Sequence, residues 1–379
     1  MKTVGIICEY NPFHLGHKKQ IDIIRSHFGQ DTAIVCLMSG NFVQRGAPAI
    51  FHKSLRAQAA IACGADLVLE LPVTYALSSA EGFAAGGVKI LSGFCDYLCF
   101  GTETGTAETL MATAKALLSP SFSEALRRQL DLGLSFPAAR AAALGEDASL
   151  LANPNDILGV EYCKAILAQN SPMQIFPILR EGGYHDTAVD TENPSATAVR
   201  QLLMSKHDWK SCVPASAWNI FDSAPLYTPQ DGERAVLARL RTMTDNEFEA
   251  LPYGSEGLWR KFMHACRSCD SIDSIIAATK SKRYTHTRIT RMLICAYLGI
   301  SREMLEAPAP YTRVLAFNDF GRTVLKAARL SGSFPHVGEE MDDPYWELEQ
   351  RTSDLYGLFC MDGVVNAGLE PKQRVFIAK

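Results

Sequence analysis

The amino-acid sequence predicts an α/β protein, with a doubly wound parallel sheet over residues 1–205 and a mostly α-helical domain over residues 206–379. Two observations predict it. In the first 205 residues short apolar runs alternate with amphipathic stretches, as strands buried on both faces alternate with the helices that cross between them. Beyond residue 206 the alternation stops and the periodic stretches take helical spacing, after a connection at 213–232 that carries Pro214, Pro225 and Pro229.

Taken in order, the first strand is the apolar run Val4-Gly5-Ile6-Ile7-Cys8. Asn11-Pro12 ends it, because proline lacks the donor a ladder needs and disfavours the helical conformation in the residue before it. A helix near 16–28 follows, carrying Ile21, Ile23 and Ile24. Apolar runs at 33–38, 67–71, 97–100 and 174–178 are the later strands, and amphipathic stretches at 53–63, 79–92, 106–118 and 156–169 are the helices between them. Asn153-Pro154-Asn155-Asp156 precedes the last of these, and each of its polar residues taken alone reads as a cap. Ser195 or Thr197 caps a further helix that includes Arg200. In the second domain the helical stretches are 232–243, 255–268, 272–279, 286–298, 318–330 and 344–359.

The length of 379 residues suffices for two domains and a large core. With 47% hydrophobic residues, 21% charged residues and a net charge of −4, the chain is neither disordered nor globally basic, so any nucleic-acid surface must be a local patch. The sequence has no apolar span of membrane length and no signal-peptide pattern, so a cytoplasmic protein without a membrane partner is expected. Of eleven cysteines, Cys8, Cys36, Cys63, Cys95, Cys99, Cys163 and Cys295 lie in apolar runs and are expected reduced. Cys266 and Cys269 have no second pair at zinc spacing and read as two helical thiols.

The most informative stretch is Tyr10-Asn11-Pro12-Phe13-His14-Leu15-Gly16-His17, which brings two histidines and a glycine to the start of the first helix. A helix N-terminus offers unpaired N–H groups and partial positive charge to an anion. His14 and His17, three apart, share a face there, Gly16 clears space for a phosphate, and Lys18 and Lys19 add charge. Two histidines so spaced also suit a metal ion or a plain surface helix, but no further ligand stands nearby at a zinc spacing, and no metal site is predicted. In Asn193-Pro194-Ser195-Ala196-Thr197-Ala198-Val199-Arg200, backbone amides, the Ser195 and Thr197 hydroxyls and the Arg200 guanidinium form a second clamp. Paired with the histidine turn, it suggests a triphosphate held from two sides.

The turns after the later strands are also chemically loaded. One carries Ser39, Gln44 and Arg45, and another Gly101, which alone reads as a turn glycine at positive φ. A third carries Arg180, Glu181, Tyr184, His185 and Asp186. In the helical domain, residues 280–291 hold Lys280, Lys282, Arg283, Arg288 and Arg291 with Tyr284 among them and no acid, a run suited to a phosphate backbone and a stacked base or to a solvated helix start.

These residues resemble a known family. HLGH with SATAVR resembles the two signatures of the HIGH-motif nucleotidyltransferase superfamily. The fuller set EYNPFHLGH, MSGNFVQRG, GADLVLELP, FGTE, NPNDILGVEY, GYHD, SATAVR and KRYTHTRITRML is similar to the bacterial tRNA(Met) cytidine acetate ligase family along nearly the whole chain. The resemblance implies a Rossmann-like nucleotidyltransferase domain that binds ATP and activates acetate as acetyl-adenylate, releasing pyrophosphate. The acetyl group then passes to N4 of the wobble cytidine, position 34, of elongator tRNA(Met).

It implies ATP contacts along Ile7, Cys8, Glu9, Tyr10, Asn11, Pro12, Phe13, His14, Leu15, Gly16, His17, Lys18, Lys19 and Gln20, and at Gly101, Asn155, Arg180 and Glu181. His14, His17 and Arg200 would stabilise the reacting phosphate, with Mg expected on the β- and γ-phosphates. Ala196 replaces a serine of the superfamily's second signature and removes one hydroxyl. Ser39, Gln44, Arg45, Lys53 and Asp66 are candidates for a general base near the site. Two other functions stay open: a small-molecule adenylyltransferase of the same superfamily, and a non-catalytic nucleotide-sensing RNA-binding protein.

Overall fold

The apolar runs of the first 180 residues pair in parallel, as their two-sided hydrophobicity requires. The computed structural model describes residues 1–180, 193–281, 283–307, 311–331, 344–363 and 367–378; Glu181, Tyr184, His185, Asp186 and Lys282 lie outside them. The strands are β1 (Thr3–Cys8), β2 (Ala33–Ser39), β3 (Phe42–Val43), β4 (Ala47–Pro48), β5 (Leu67–Leu71), β6 (Tyr97–Thr102), β7 (Gln174–Leu179), β8 (Arg313–Phe317) and β9 (Phe376–Ile377). β3 and β4 form a small hairpin, and the other seven form one sheet in the order β7-β6-β1-β2-β5-β8-β9. The order reverses between β1 and β6, whose carboxyl ends flank the crevice where ligands bind in open α/β sheets.

The five predicted strands and their crossover helices are present within three residues of the expected bounds. The predicted helical stretches beyond 228 are present as Pro229–Thr242, Leu258–Ser268, Ile272–Thr279, His286–Leu298, Asp319–Ser331 and Pro344–Gly357. Several features differ from the expectation, among them the helix Ala215–Phe221 inside the expected connection 213–232 and the short helices Val73–Ala76, Asp245–Glu249 and Arg302–Glu306. The hairpin β3–β4 and the helices Pro120–Asp131 and Phe136–Leu144 were not anticipated. The sheet also does not end at residue 205: β8 joins β5 antiparallel, pairing Leu67 with Phe317 and Glu70 with Arg313, and β9 pairs with β8. Residue 205 is therefore not a boundary of the sheet, because the chain returns from the helical region to cover its edge.

The core has three parts. On one face of the sheet, Val88 and Leu91 of the helix Ala80–Leu91 and Val160 and Cys163 of the helix Pro154–Ala168 pack on Val35, Leu37 and Leu69. On the other face Ile21, Ile24, Ala60, Val199 and Phe221 pack on Ile34, Cys36 and Val68. The helical region has its own core around Phe248, Phe262, Leu293 and Phe359, and Phe42, Val73 and Leu77 reach into it from the sheet side. All eleven cysteines are free, and all but Cys269 are buried, as their apolar surroundings require.

Two buried cations fix the carboxyl edge of the sheet. The Arg56 guanidinium donates to the carbonyls of Phe51 (2.9 Å), Ser39 (3.1 Å), Glu9 and Gly40, tying the ends of β1 and β2 to one side chain. Lys53 pairs with Glu70 at 2.6 Å and with Glu370, and Glu370 also pairs with Arg313 and accepts from Ser353. Glu349 stands beside this network, accepting from the Val73 nitrogen at 2.7 Å. Burial and the neighbouring Glu70 push the Glu349 carboxyl up to about 7.

Candidate active site

β1 ends at Cys8, and the turn after it is shaped by aromatic packing. Phe13 is fully buried and meets the Tyr10 ring edge-on at 4.7 Å. Tyr10 takes φ +44°, a conformation rare for a bulky residue. Both rings flank His17, at 4.8 and 5.5 Å, and His17 stacks on His14 at 3.7 Å. Within the turn, Phe13 therefore serves packing. Lys18 pairs with Asp22 on the outer face of the helix Leu15–Phe28.

The two histidines cap that helix reciprocally. His14 Nδ1 accepts from the Gly16 nitrogen at 3.1 Å, and His17 Nδ1 accepts from the His14 nitrogen at 3.3 Å. A Cβ on Gly16 would lie 3.0 Å from the His14 ring, which would have to give by a few tenths of an ångström, and Gly16 also borders a recess beside the cavity. The Gly16 amide, expected to bind an anion, is spent on the cap. What the turn offers a phosphate is the imidazoles: with Nδ1 accepting in both, each neutral ring carries its proton on Nε2 and donates from there.

Burial, then Arg180 and Arg200, lower His14 to about 3. Burial, then His14 and Arg180, hold His17 well below its usual range. Depressed values keep both rings neutral until the pH falls far below 6.5, so each meets the cavity as a neutral donor. A two-bond ¹H–¹⁵N spectrum of the free protein at pH 6 should show both in the neutral Nε2–H form. An imidazolium pattern for either ring at that pH would contradict this assignment.

The second clamp lies beside the first. Ser195 caps the helix Ala196–Met204, accepting from the Ala198 nitrogen at 3.1 Å. Arg200 donates to the Asn11 carbonyl at 2.7 Å and to Thr197 Oγ1 at 3.1 Å, and so docks this helix on the histidine turn. Gly101 is on β6 and not at positive φ; a Cβ there would lie 3.0 Å from Cγ and Cδ of Arg180, so the glycine leaves space for the aliphatic stem of that side chain. Asp156 does not cap its own helix. Its carboxylate accepts from the nitrogens of Glu103 (2.9 Å), Thr104 and Gly105, while Glu103 accepts from Asn155 Nδ2 at 2.6 Å and the Asp156 nitrogen at 3.0 Å. Burial opposes ionisation of Asp156, but the hydrogen bonds from Thr104, Glu103 and Asn153 outweigh it and lower its pKa. This exchange fixes Asn155 against the end of β6.

These elements enclose a cavity of about 380 Å³. The first turn lines it with Ile7, Cys8, Glu9, Tyr10 and Asn11 and with His14, His17 and Gln20; Gly101, Asn155 and Arg180 line the far wall, and Ser195, Thr197 and Arg200 the third side. Gly16 and Lys19 line an adjoining recess of about 120 Å³. Pro12, Phe13, Leu15 and Lys18 line neither. Sequence reasoning missed the apolar end made by Phe83, Phe100, Leu158 and Tyr162. Asn155, Leu158 and Tyr162 stand at i, i+3 and i+7 of one helix, and that shared face was the available signal. Of the candidate bases, Lys53 is held in the ion network. Asp66 precedes β5 at the opposite, amino edge of the sheet, where it accepts from the Ile34 nitrogen at 2.7 Å and pairs with Arg25.

The HIGH Nucleotidyl Transferase family model matches residues 1–367. A tRNA(Met) cytidine acetate ligase of Alkaliphilus metalliredigens is 35% identical, the match covering 97% of this chain and 96% of the relative, and one of Clostridium novyi is 37% identical over 88% and 89%. The chain belongs to the tRNA(Met) cytidine acetate ligase family. The crystal structure of Thermotoga maritima TmcAL bound with alpha-thio ATP is 29% identical, covering 100% of this chain and 99% of that one with a TM-score of 0.89; its apo form gives 0.91.

In this family member the basic run packs against the cavity wall. Gly46, in the β3–β4 turn, has φ +74°, and a Cβ there would lie 2.5 Å from the Arg291 nitrogen. Several side chains of the run are committed within the protein. Tyr284 is buried, donating its hydroxyl to the Glu256 carbonyl at 2.9 Å, and so is not placed to stack on a base. Arg288 donates to the Tyr253 carbonyl at 2.8 Å, Arg291 lies over the Tyr253 ring at 5.0 Å, and Arg283 pairs with Glu256 at 2.9 Å. Lys280 is exposed.

Proposed function

We propose that the protein is an ATP-dependent ligase that activates acetate as acetyl-adenylate, releasing pyrophosphate, and transfers the acetyl group to N4 of the wobble cytidine of elongator tRNA(Met). The observation that carries this is the convergence of both nucleotidyltransferase signatures on one cavity in a chain whose full-length relatives carry the ligase name. Those relatives match the helical region as well as the sheet, which disfavours a small-molecule adenylyltransferase; intact signatures disfavour a non-catalytic nucleotide sensor. Within the described residues no helix is long and apolar enough to cross a membrane, and we place the enzyme in the cytoplasm.

In the first step an acetate oxygen attacks the α-phosphorus of ATP and pyrophosphate leaves. Two anions must meet, so catalysis rests on alignment and on donors aimed at the phosphate oxygens. His14 and His17 would donate from Nε2, while Arg180 and Arg200 supply charge without a proton to lose. Mg would enter on the β- and γ-phosphates; among the described residues no group of three or more His, Cys, Asp or Glu is placed to hold a metal ion. In the second step the cytidine N4 amine attacks the acetyl carbonyl and AMP leaves, a reaction that the mixed anhydride makes favourable once the base is unstacked and positioned.

Incubation with ATP, labelled acetate and unmodified elongator tRNA(Met), followed by digestion of the RNA, should yield labelled N4-acetylcytidine. Absence of that product, with pyrophosphate exchange supported by a different acceptor, would sink the proposal.

A further inference from the structure

The turn Gln44-Arg45-Gly46 between β3 and β4 is shared by two parts of the molecule. Toward the cavity, the Gln44 nitrogen donates to Glu9 Oε1 at 2.8 Å and Gln44 Nε2 to the Ser78 carbonyl at 3.2 Å. Toward the helical region, Thr290 Oγ1 donates to the Arg45 carbonyl at 2.6 Å. The contact is close enough that a Cβ on Gly46 would lie 2.5 Å from the Thr290 carbonyl carbon, a backbone atom that cannot swing aside. Two hydrogen bonds on one side and one with a close backbone approach on the other hold this turn in fixed register.

Arg45 lines the cavity, yet its side chain is exposed, which puts it at the mouth. It belongs to neither nucleotidyltransferase signature. The basic run directly behind it has Arg288 and Arg291 engaged by the loop at Tyr253. Arg45 thus joins this run, through Thr290, to the mouth of the cavity, where an RNA reaching the cavity from that side would meet its guanidinium. A guanidinium on a fixed backbone suits a phosphodiester there, since phosphate contacts set register and orientation.

We propose that Arg45 is a positioning residue for acetyl transfer, binding the phosphodiester next to the acetylated cytidine and so setting how far the base enters the cavity. This rests on the ligase function above, and the two can fail separately. If the wild-type protein makes no N4-acetylcytidine, the ligase function fails. If it does, Arg45→Ala is compared with it in acetate-dependent ATP–pyrophosphate exchange without RNA, and in acetyl transfer to tRNA.

The expected result is a loss in transfer that exceeds any loss in exchange: kcat/KM for tRNA falls about tenfold or more, as loss of a charged hydrogen bond produces, while exchange persists and reports an intact fold. The dependence of log kcat/KM on log salt should flatten by about 0.7, the value for one contact to a single strand. Arg45→Lys should restore the salt slope and part of the rate. Transfer at the wild-type rate, or loss of exchange with a raised KM for acetate, would overturn the proposal; the latter would move Arg45 to the acetate side.

Discussion

Replacing His17 by alanine should lower acetyl-adenylate formation by about a hundredfold to a thousandfold, the usual loss for one donor to a developing negative charge, while tRNA binding survives. The effect has two sources. The Nε2–H donor itself is lost, and with it the acceptor for the His14 nitrogen and the ring stacked on His14 at 3.7 Å. His14 would then lose the contacts that fix its orientation, so the double alanine variant should be little worse than the single one. Acetate-dependent pyrophosphate exchange measures the first quantity and tRNA filter binding the second. Adenylate formation at the wild-type rate would show that the phosphate is not held at this turn.

Glu370→Ala should destabilise the fold by about 3–5 kcal/mol, the cost of leaving buried charge without its partner. Glu370 is 1% exposed and answers two cations: Lys53, equally buried, and Arg313. Without it both would turn to Glu70, which Lys53 reaches at 2.6 Å and Arg313 only at 3.8 Å. Ser353 would lose its acceptor as well. Glu370→Gln keeps the shape and should fall between the wild type and Glu370→Ala. Urea unfolding at pH 7 measures the change, and a shift under about 1 kcal/mol would mean that water or a rearranged Glu349 replaces the lost carboxylate.

The strands and crossover helices of the nucleotide half were legible because burial on both faces leaves a continuous apolar run, and Leu67–Leu71 was bounded to the residue for that reason. β8 was not. Arg313-Val314-Leu315-Ala316-Phe317 is as apolar as β1, but it stands among helical patterns, and only its partner β5, about 245 residues earlier, makes it a strand. That the histidine turn brings His14 and His17 together at a helix start was legible from residue types and spacing. Its cap was not, since which ring nitrogen accepts depends on a backbone the sequence does not display. Lys53 and Glu370 lie 317 residues apart and show no local sign of each other. The internal hydrogen bonds of Tyr284 and Arg288 were not legible in the basic run, because their partners Glu256 and Tyr253 come from a separate segment.

The return of the chain to the sheet sets an order of events during synthesis. β1, β2, β5, β6 and β7 can pair once about 180 residues have been made, but β5 then presents a bare edge until residue 317 arrives, and the Lys53 network stays incomplete until residue 370. For about a third of translation the growing protein would carry an open strand, and for about half of it a buried lysine short of a carboxylate, the condition in which nascent chains pair with one another. Completion of the nucleotide half is thereby tied to completion of the whole chain, and a prematurely terminated product would have an unfinished catalytic sheet.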